Sequence, residues 1–151
     1  PGNPVIRSDD SSGILVDDNE GSLAPFSPGA GDGIAFQDPF DASPDPGGSV
    51  LWVTRNRLAV GNANGPAASG ITAVGSTRLK VAGNRLSGKA AVGVDVDVAN
   101  GCLVLGNSAR ALHTGGGPDL RLGDDTSDCL AIVGKHDSVQ DDGSNNKVIR
   151  R

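Results

Sequence analysis

Asp95 and Asp97 alternate with valines in Val94-Asp-Val-Asp-Val98. On a strand, residues two apart share a face, so both carboxylates project to the same side while the valines point away. A second alternating phrase, Pro118-Asp-Leu-Arg-Leu122, lies downstream. If it stacks on the next level, Asp119 falls beside Asp95 and Arg121 beside Asp97. Three carboxylates and a guanidinium on one outward patch could cut a glycan. Two carboxylates would serve as acid and base, or carboxylates would bind Ca²⁺ while Arg121 takes a proton beside an acidified uronate. Gly123-Asp-Asp125 follows the patch, and His113 is expected in the turn before it. Asp95, Asp97, Asp119 and Arg121 are therefore the catalytic candidates. The same residues also fit a solvated face with an Asp97–Arg121 cross-strand pair worth about a few tenths of a kcal/mol.

A second set is basic. Leu51-Trp-Val-Thr-Arg-Asn-Arg-Leu58 and Leu79-Lys-Val-Ala-Gly-Asn-Arg-Leu86 share the pattern L-x-V-x-x-N-R-L. Trp52 and Lys80 thereby take equivalent outward positions, as do Arg57 and Arg85, with Arg55 and Arg78 nearby. An exposed indole beside cations can stack on a sugar ring or contact a partner protein, so Trp52, Arg57, Lys80 and Arg85 are ligand-binding candidates. Cys102 and Cys129 are 27 positions apart. On adjacent levels their Cα atoms would lie ~5 Å apart, which fits a disulfide and fits two stacked thiols. No metal site is expected, because neither cysteine belongs to a C-x-x-C and no histidine sits at ligand spacing. His136 reads as a surface loop residue. The acidic pairs Asp9-Asp10, Asp17-Asp18, Asp124-Asp125 and Asp141-Asp142 suit loose Ca²⁺ at most, and no other cofactor is expected.

These residues need a scaffold, and the repeat supplies it. Taking Asn56 and Asn84 as register marks, Asn107 follows in Cys102-Leu-Val-Leu-Gly-Asn-Ser-Ala109, and Gly134 stands in for Asn in Cys129-Leu-Ala-Ile-Val-Gly134. The spacings are 28, 23 and 27. A Gly-led strand recurs at Gly70, Gly93 and Pro118, with earlier versions at Gly13-Ile-Leu-Val16 and Gly33-Ile-Ala-Phe36. Each repeat holds two short strands and no helix, because Val94-Asp-Val-Asp-Val98 has the period of a strand. Leu51, Val53, Leu58, Leu79, Val81, Leu86, Val94, Val96 and Val98 are expected as inward columns. Asn56, Asn84 and Asn107 are expected as a corner ladder, with the Asn itself tolerating left-handed backbone.

The run Gly-Ile-x-x-Val…Leu-x-Val-x-Gly-Asn-Arg-Leu-x-Gly over residues 70–88 resembles the repeats of right-handed parallel β-helix proteins, the pectate-lyase-like superfamily. The resemblance is good over residues 50–125 and poor over 1–49. It implies an all-β, short right-handed parallel β-helix of about four to six coils, with right-handedness also following from the crossover rule. Gly123-Asp-Asp125 resembles one motif of polygalacturonase-type hydrolases, whose Asn-Thr-Asp, Gly-His-Gly and Arg-Ile-Lys motifs this sequence lacks. The superfamily hosts lyases, hydrolases and non-catalytic spikes and adhesins, so the fold alone names no activity.

Composition agrees with many tight corners around a thin core: 23 Gly, three Phe, one Trp and neither Met nor Tyr. One domain is expected over 1–151: irregular first coils and a Pro/Gly-rich loop excursion over 1–49, regular coils over 50–134, and a cap or tail over 135–151. The net charge is −5, yet residues 46–94 hold six bases and no acid. That basic waist could seat an acidic polysaccharide or protein partner. Overall acidity without a basic, aromatic-interleaved cluster argues against nucleic acid. No apolar run approaches a membrane span, and no signal peptide is read at the start. The expected function is a non-catalytic module of a secreted, cell-surface or appendage protein, for structural assembly or glycan and partner binding, with homo-oligomerisation a possibility. The alternative is a polysaccharide lyase or hydrolase acting on an acidic glycan.

Overall fold

The computed structural model describes residues 6–9, 14–23, 32–37, 50–61, 67–76, 78–114 and 117–151. Among them are fifteen strands, β1 to β15 in chain order, and no helix. The smaller sheet runs β15 (Lys147–Arg150), β13 (Leu130–Val133), β10 (Leu103–Leu105), β8 (Arg78–Ala82), β5 (Val50–Thr54) and β2 (Ile14–Asp17). The larger sheet has two stacks joined by the long β9 (Arg85–Ala99). The first part of β9 lies between β6 (Arg57–Val60) and β11 (Ser108–Thr114), and β6 pairs in turn with β3 (Glu20–Leu23). The later part lies between β7 (Ala67–Ser76) and β12 (Leu120–Leu122). That stack continues to β4 (Asp32–Gln37) and β1 (Ile6–Asp9) on one side and β14 (Val139–Asp141) on the other. Every one of these pairings is parallel. The chain repeatedly leaves the smaller sheet, contributes to the larger one and returns, an order compatible with a β-helix.

Alternation drives the burial. Leu51 and Leu79 stack in line with Cys102 and Cys129, and Val53, Val81, Val104 and Ala131 form the adjacent inward column, all buried. In the larger sheet Ile34, Ile71, Val94 and Leu120 align, as do Val96 and Leu122. The expected inward residues are buried with one exception. Val98 is only partly buried and adopts φ 49°, because there the strand turns a corner instead of continuing its alternation.

The corner ladder is present and longer than expected. Oδ1 of Asn56 accepts from the Asn19 N–H, Oδ1 of Asn84 from the Asn56 N–H, and Oδ1 of Asn107 from the Asn84 N–H, at 3.0–3.1 Å. Each of Asn56, Asn84 and Asn107 also donates from Nδ2 to a carbonyl: Val16, Val53 and Val81 respectively. The left-handed residue is not the asparagine but the one before it: Asp18, Arg55, Gly83 and Gly106. The asparagine's amide serves the hydrogen bonds, and its neighbour makes the turn.

Other expectations shift. Ile14–Val16 joins the Leu-x-Val column, with Leu15 opposite Trp52, and not the Gly-led one. Within residues 20–49, β4 contains the strand expected at Gly33–Phe36, with Ile34 in register with Ile71, whereas β3 stands where a loop is expected; the excursion's prolines, with Phe26 and Phe40, lie outside the described residues. Residues 135–151 extend both sheets through β14 and β15, so they are a further level of the stack and not a tail. Gly93, expected to open a strand, lies inside β9 and is glycine for a steric reason: a Cβ there would stand 2.3 Å from the Asp119 carbonyl oxygen.

Candidate functional site

The outward side chains form three separate patches. On β9 and β12, Leu120 pairs with Val94 and Arg121 with Asp95, two residues out of the expected register. A two-residue slip keeps every side chain on its face and so conserves the core pattern. It changes the neighbours instead. Arg121 Nε donates to Asp95 Oδ1 at 2.7 Å, and its Nη2 lies 3.9 Å from Asp97 Oδ2. Asp119 comes opposite Gly93 and leaves the patch. Its carboxylate accepts from the Ser138 backbone N–H at 2.8 Å and from Ser138 Oγ at 3.0 Å. The expected trio of carboxylates around Arg121 is not assembled. His113 lies in β11, in register with Lys89, and not in a turn.

Asp95 and Asp97 differ in environment. The Asp95 side chain is only 15% exposed, and this burial raises its carboxyl above the ordinary 3.8 although Arg121 pulls the other way. The same bond holds Arg121 more firmly protonated. Asp97 turns toward Gly123, where an added Cβ would meet its Oδ1 at 2.2 Å. Its Oδ1 also accepts the Val98 N–H at 3.1 Å, bracing a β-branched residue in a left-handed conformation that costs about 1–2 kcal/mol. Asp124 and Asp125 follow in the same turn, and one carboxylate oxygen from each of Asp97, Asp124 and Asp125 falls within 4.8 Å of the others. Those three are the described residues with the donor set for a hard cation.

The basic candidates divide across the Asn corner. Trp52 and Lys80 are register partners on the smaller sheet, with Lys80 Nζ 5.2 Å from the indole centroid and Trp52 46% exposed. Arg55, at the corner, pairs with Asp17. The Asp17 carboxyl is lowered below 3.8 chiefly by the bond from Thr54 Oγ1, with Arg55 adding to it.

Arg57 and Arg85 are register partners on the larger sheet, in the outward column Glu20, Arg57, Arg85 and Ser108. They flank an open groove of about 350 Å³ whose walls include Leu58, Leu86 and Ser87. Both side chains are exposed, and neither guanidinium has a carboxylate partner among the described residues. Four candidates thus separate into an indole–ammonium pair and an arginine groove.

Cys102 and Cys129 are joined as a disulfide, with Cα atoms 4.4 Å apart and both residues buried. Asn146, which sequence reasoning missed, sits one level further on and accepts the Cys129 N–H at 3.0 Å. Its signal was available in the spacing of 17 from Cys129, hidden because residues 135–151 read as a tail. Comparison of this chain with family models, with curated proteins and with solved structures found no match.

Proposed function

We propose that the chain is a short right-handed parallel β-helix of the pectate-lyase-like kind, and that it is a non-catalytic module that binds an acidic glycan at the Arg57–Arg85 groove. The repeat phrases and the uniformly parallel register support the closed solenoid. The observation that carries the function is the stacking of Arg57 on Arg85 with no ion-pair partner for either among the described residues. Strands in register lie ~4.8 Å apart, and like charges directly opposite each other are unfavourable. A carboxylate or sulfate seated between two guanidinium forks offsets that repulsion and takes two-pronged hydrogen bonds. Ala59 and Ser87 line the groove beside the arginines, while Leu58 and Leu86 beneath it point into the core, each 2% exposed. Glu20 closes one end of the column to anions, so the ligand extends past Arg85 toward Ser108.

The enzyme reading is the weaker. Asp95 and Arg121 hold each other, and Asp119 is held by Ser138, so three of the four proposed catalytic groups are already engaged. A buried disulfide suits a secreted or cell-surface protein, since such bonds persist in oxidising compartments.

Titration calorimetry with oligogalacturonate and with a neutral oligosaccharide of equal length tests the proposal. The acidic ligand is expected to bind, more weakly as salt rises, and to lose binding in Arg57→Ala and Arg85→Ala. Undiminished binding in both variants, or equal binding of the neutral ligand, overturns it. Turnover of the uronate polymer, with or without Ca²⁺, that disappears in Asp97→Ala would establish the enzyme reading instead.

A further inference from the structure

We propose that the outer face of the smaller sheet is a self-association surface, on which a second copy of this chain seats with its strand order reversed. The proposal is independent of the anion groove, which lies on the other sheet.

Parallel sheets are ordinarily covered on both faces. Here the inner face is covered by the core, and among the described residues nothing covers the outer one. One outward column reads Leu15, Trp52, Lys80, Leu103, Leu130 and Lys147 in spatial order. The next column carries Leu105, Ile132 and Ile149 in line. Leu15 is 62% exposed and Trp52 46%, and the remaining leucines and isoleucines of these columns are partly exposed. Outward apolar side chains clustered in this way, with only Lys80 and Lys147 interrupting their column, mark an interaction surface.

Charge selects the occupant and its orientation. The one acid among the outward positions of these strands, Asp17, is already paired with Arg55. The other charges, Arg78, Lys80 and Lys147, are all basic. A two-fold axis across the strands would keep the strand order and bring the two copies' Lys80 to one level, with their Lys147 likewise together. An axis parallel to the strands reverses the order. Lys147 then faces Leu15 of the second copy, Lys80 faces its Leu103, and Trp52 faces its Leu130. Each contact occurs twice, as an isologous interface requires. The lysine stems lie along leucines and carry their ammonium groups out to the rim. The face therefore complements itself in that single orientation. Six strands at ~4.8 Å spacing make it roughly 24 Å long, near the small end of specific interfaces, so association in the micromolar range or weaker is expected.

Trp52 is the only tryptophan and reports on the face directly. Sedimentation equilibrium of the whole chain from about 5 to about 500 μM, spanning that weak range, should show a monomer–dimer equilibrium. Over the same series Trp52 emission should shift to the blue and acrylamide quenching should fall. Leu103→Glu, which would face Lys80 of the second copy, should preserve or tighten the dimer. Leu103→Lys should weaken it at least about tenfold, because like charges then meet, and adding Lys80→Glu to that variant should restore it. A monomer at every concentration overturns the proposal, as does a dimer in which Trp52 stays equally quenchable. Equal weakening by Leu103→Glu and Leu103→Lys overturns the reversed seating. Adsorption of the monomer to anionic lipid vesicles without self-association assigns the face to a membrane surface and overturns it too.

Discussion

Arg121 donates to Asp95 at 2.7 Å while the neighbouring carboxylate of Asp97 stays 3.9 Å away. Even so, burial wins over the ion pair, and the Asp95 carboxyl titrates above its ordinary 3.8. A group whose folded value is raised binds protons more readily in the folded state than in the unfolded one. Its stabilising contribution is full below 3.8 and is lost as pH rises through the folded value. Urea unfolding at a series of pH values should therefore show the stability of the native chain, relative to Asp95→Asn, declining upward from about pH 4. In Arg121→Ala the decline should be steeper and reach higher pH, because burial and the charge of Asp97 remain without the guanidinium. A pH-independent difference would contradict this account.

Asp17 has the opposite sign. Its carboxyl is lowered by Thr54 and Arg55, so its contribution is present above 3.8 and lost as pH falls through the folded value. Thr54→Val should remove the leading cause and move the Asp17 carboxyl resonance titration toward 3.8, measured by NMR. An unchanged titration in Thr54→Val would mean that Arg55 alone sets the shift.

Asn84 is the fully buried middle of the corner ladder. Its Oδ1 accepts from the N–H and the Nδ2 of Asn56, and its Nδ2 donates to Val53 O and Asn107 Oδ1. Asn84→Ala leaves the Asn56 donors and the Val53 carbonyl buried without these partners, at about 1–3 kcal/mol each. A loss of roughly 3–5 kcal/mol is expected from chemical denaturation, a large part of an ordinary domain's stability. Asn107→Ala should cost about half as much, since that corner is partly exposed and water can replace the amide.

The disulfide joins equivalent positions on adjacent levels and closes a separation of 27 residues. Chain-entropy reasoning puts its contribution at about 3–4 kcal/mol. The double variant Cys102→Ala, Cys129→Ala should lose that amount, with parallel-sheet circular dichroism retained below its lower midpoint. Equal midpoints for the double variant and the native chain would show that the column packs as well without the bond.

Much of this architecture was legible in the sequence because the repeat marks are inward or corner residues, whose type the position dictates. Leu51 over Leu79, and Asn56 over Asn84, are forced by a thin core and a crowded turn. The outward residues carry no such constraint, so their neighbours are not legible from the pattern. The alternation alone allows Asp119 beside Asp95, because Leu120 and Leu122 satisfy the core equally well in either of two registers two residues apart. The backbone settles the choice: a Cβ on Gly93 would stand 2.3 Å from the Asp119 carbonyl oxygen, so only glycine accepts this register, which sets Arg121 on Asp95. The last level was missed because its strands are short and polar, and Asn146 anchors them through a hydrogen bond with no hydrophobic signature.

Arg57 and Arg85 set function against stability, and that conflict can be measured. The two guanidinium groups share one outward column without a carboxylate between them. If the pair exists to hold an anion, the ligand-free protein bears its repulsion. Arg85→Ala should then leave the free protein unchanged or more stable by up to about 0.5 kcal/mol, the scale of a cross-strand like-charge contact. In the presence of oligogalacturonate the order should reverse: the native chain's thermal midpoint rises with ligand concentration as binding to the folded state requires, and the variant's does not. Arg85→Lys separates charge from geometry. It keeps the repulsion and the positive field but loses the two-pronged fork, so it should bind more weakly than the native chain while matching its free stability. A variant destabilised in the absence of ligand would instead make Arg85 a packing residue and would remove the argument that the column awaits an anion.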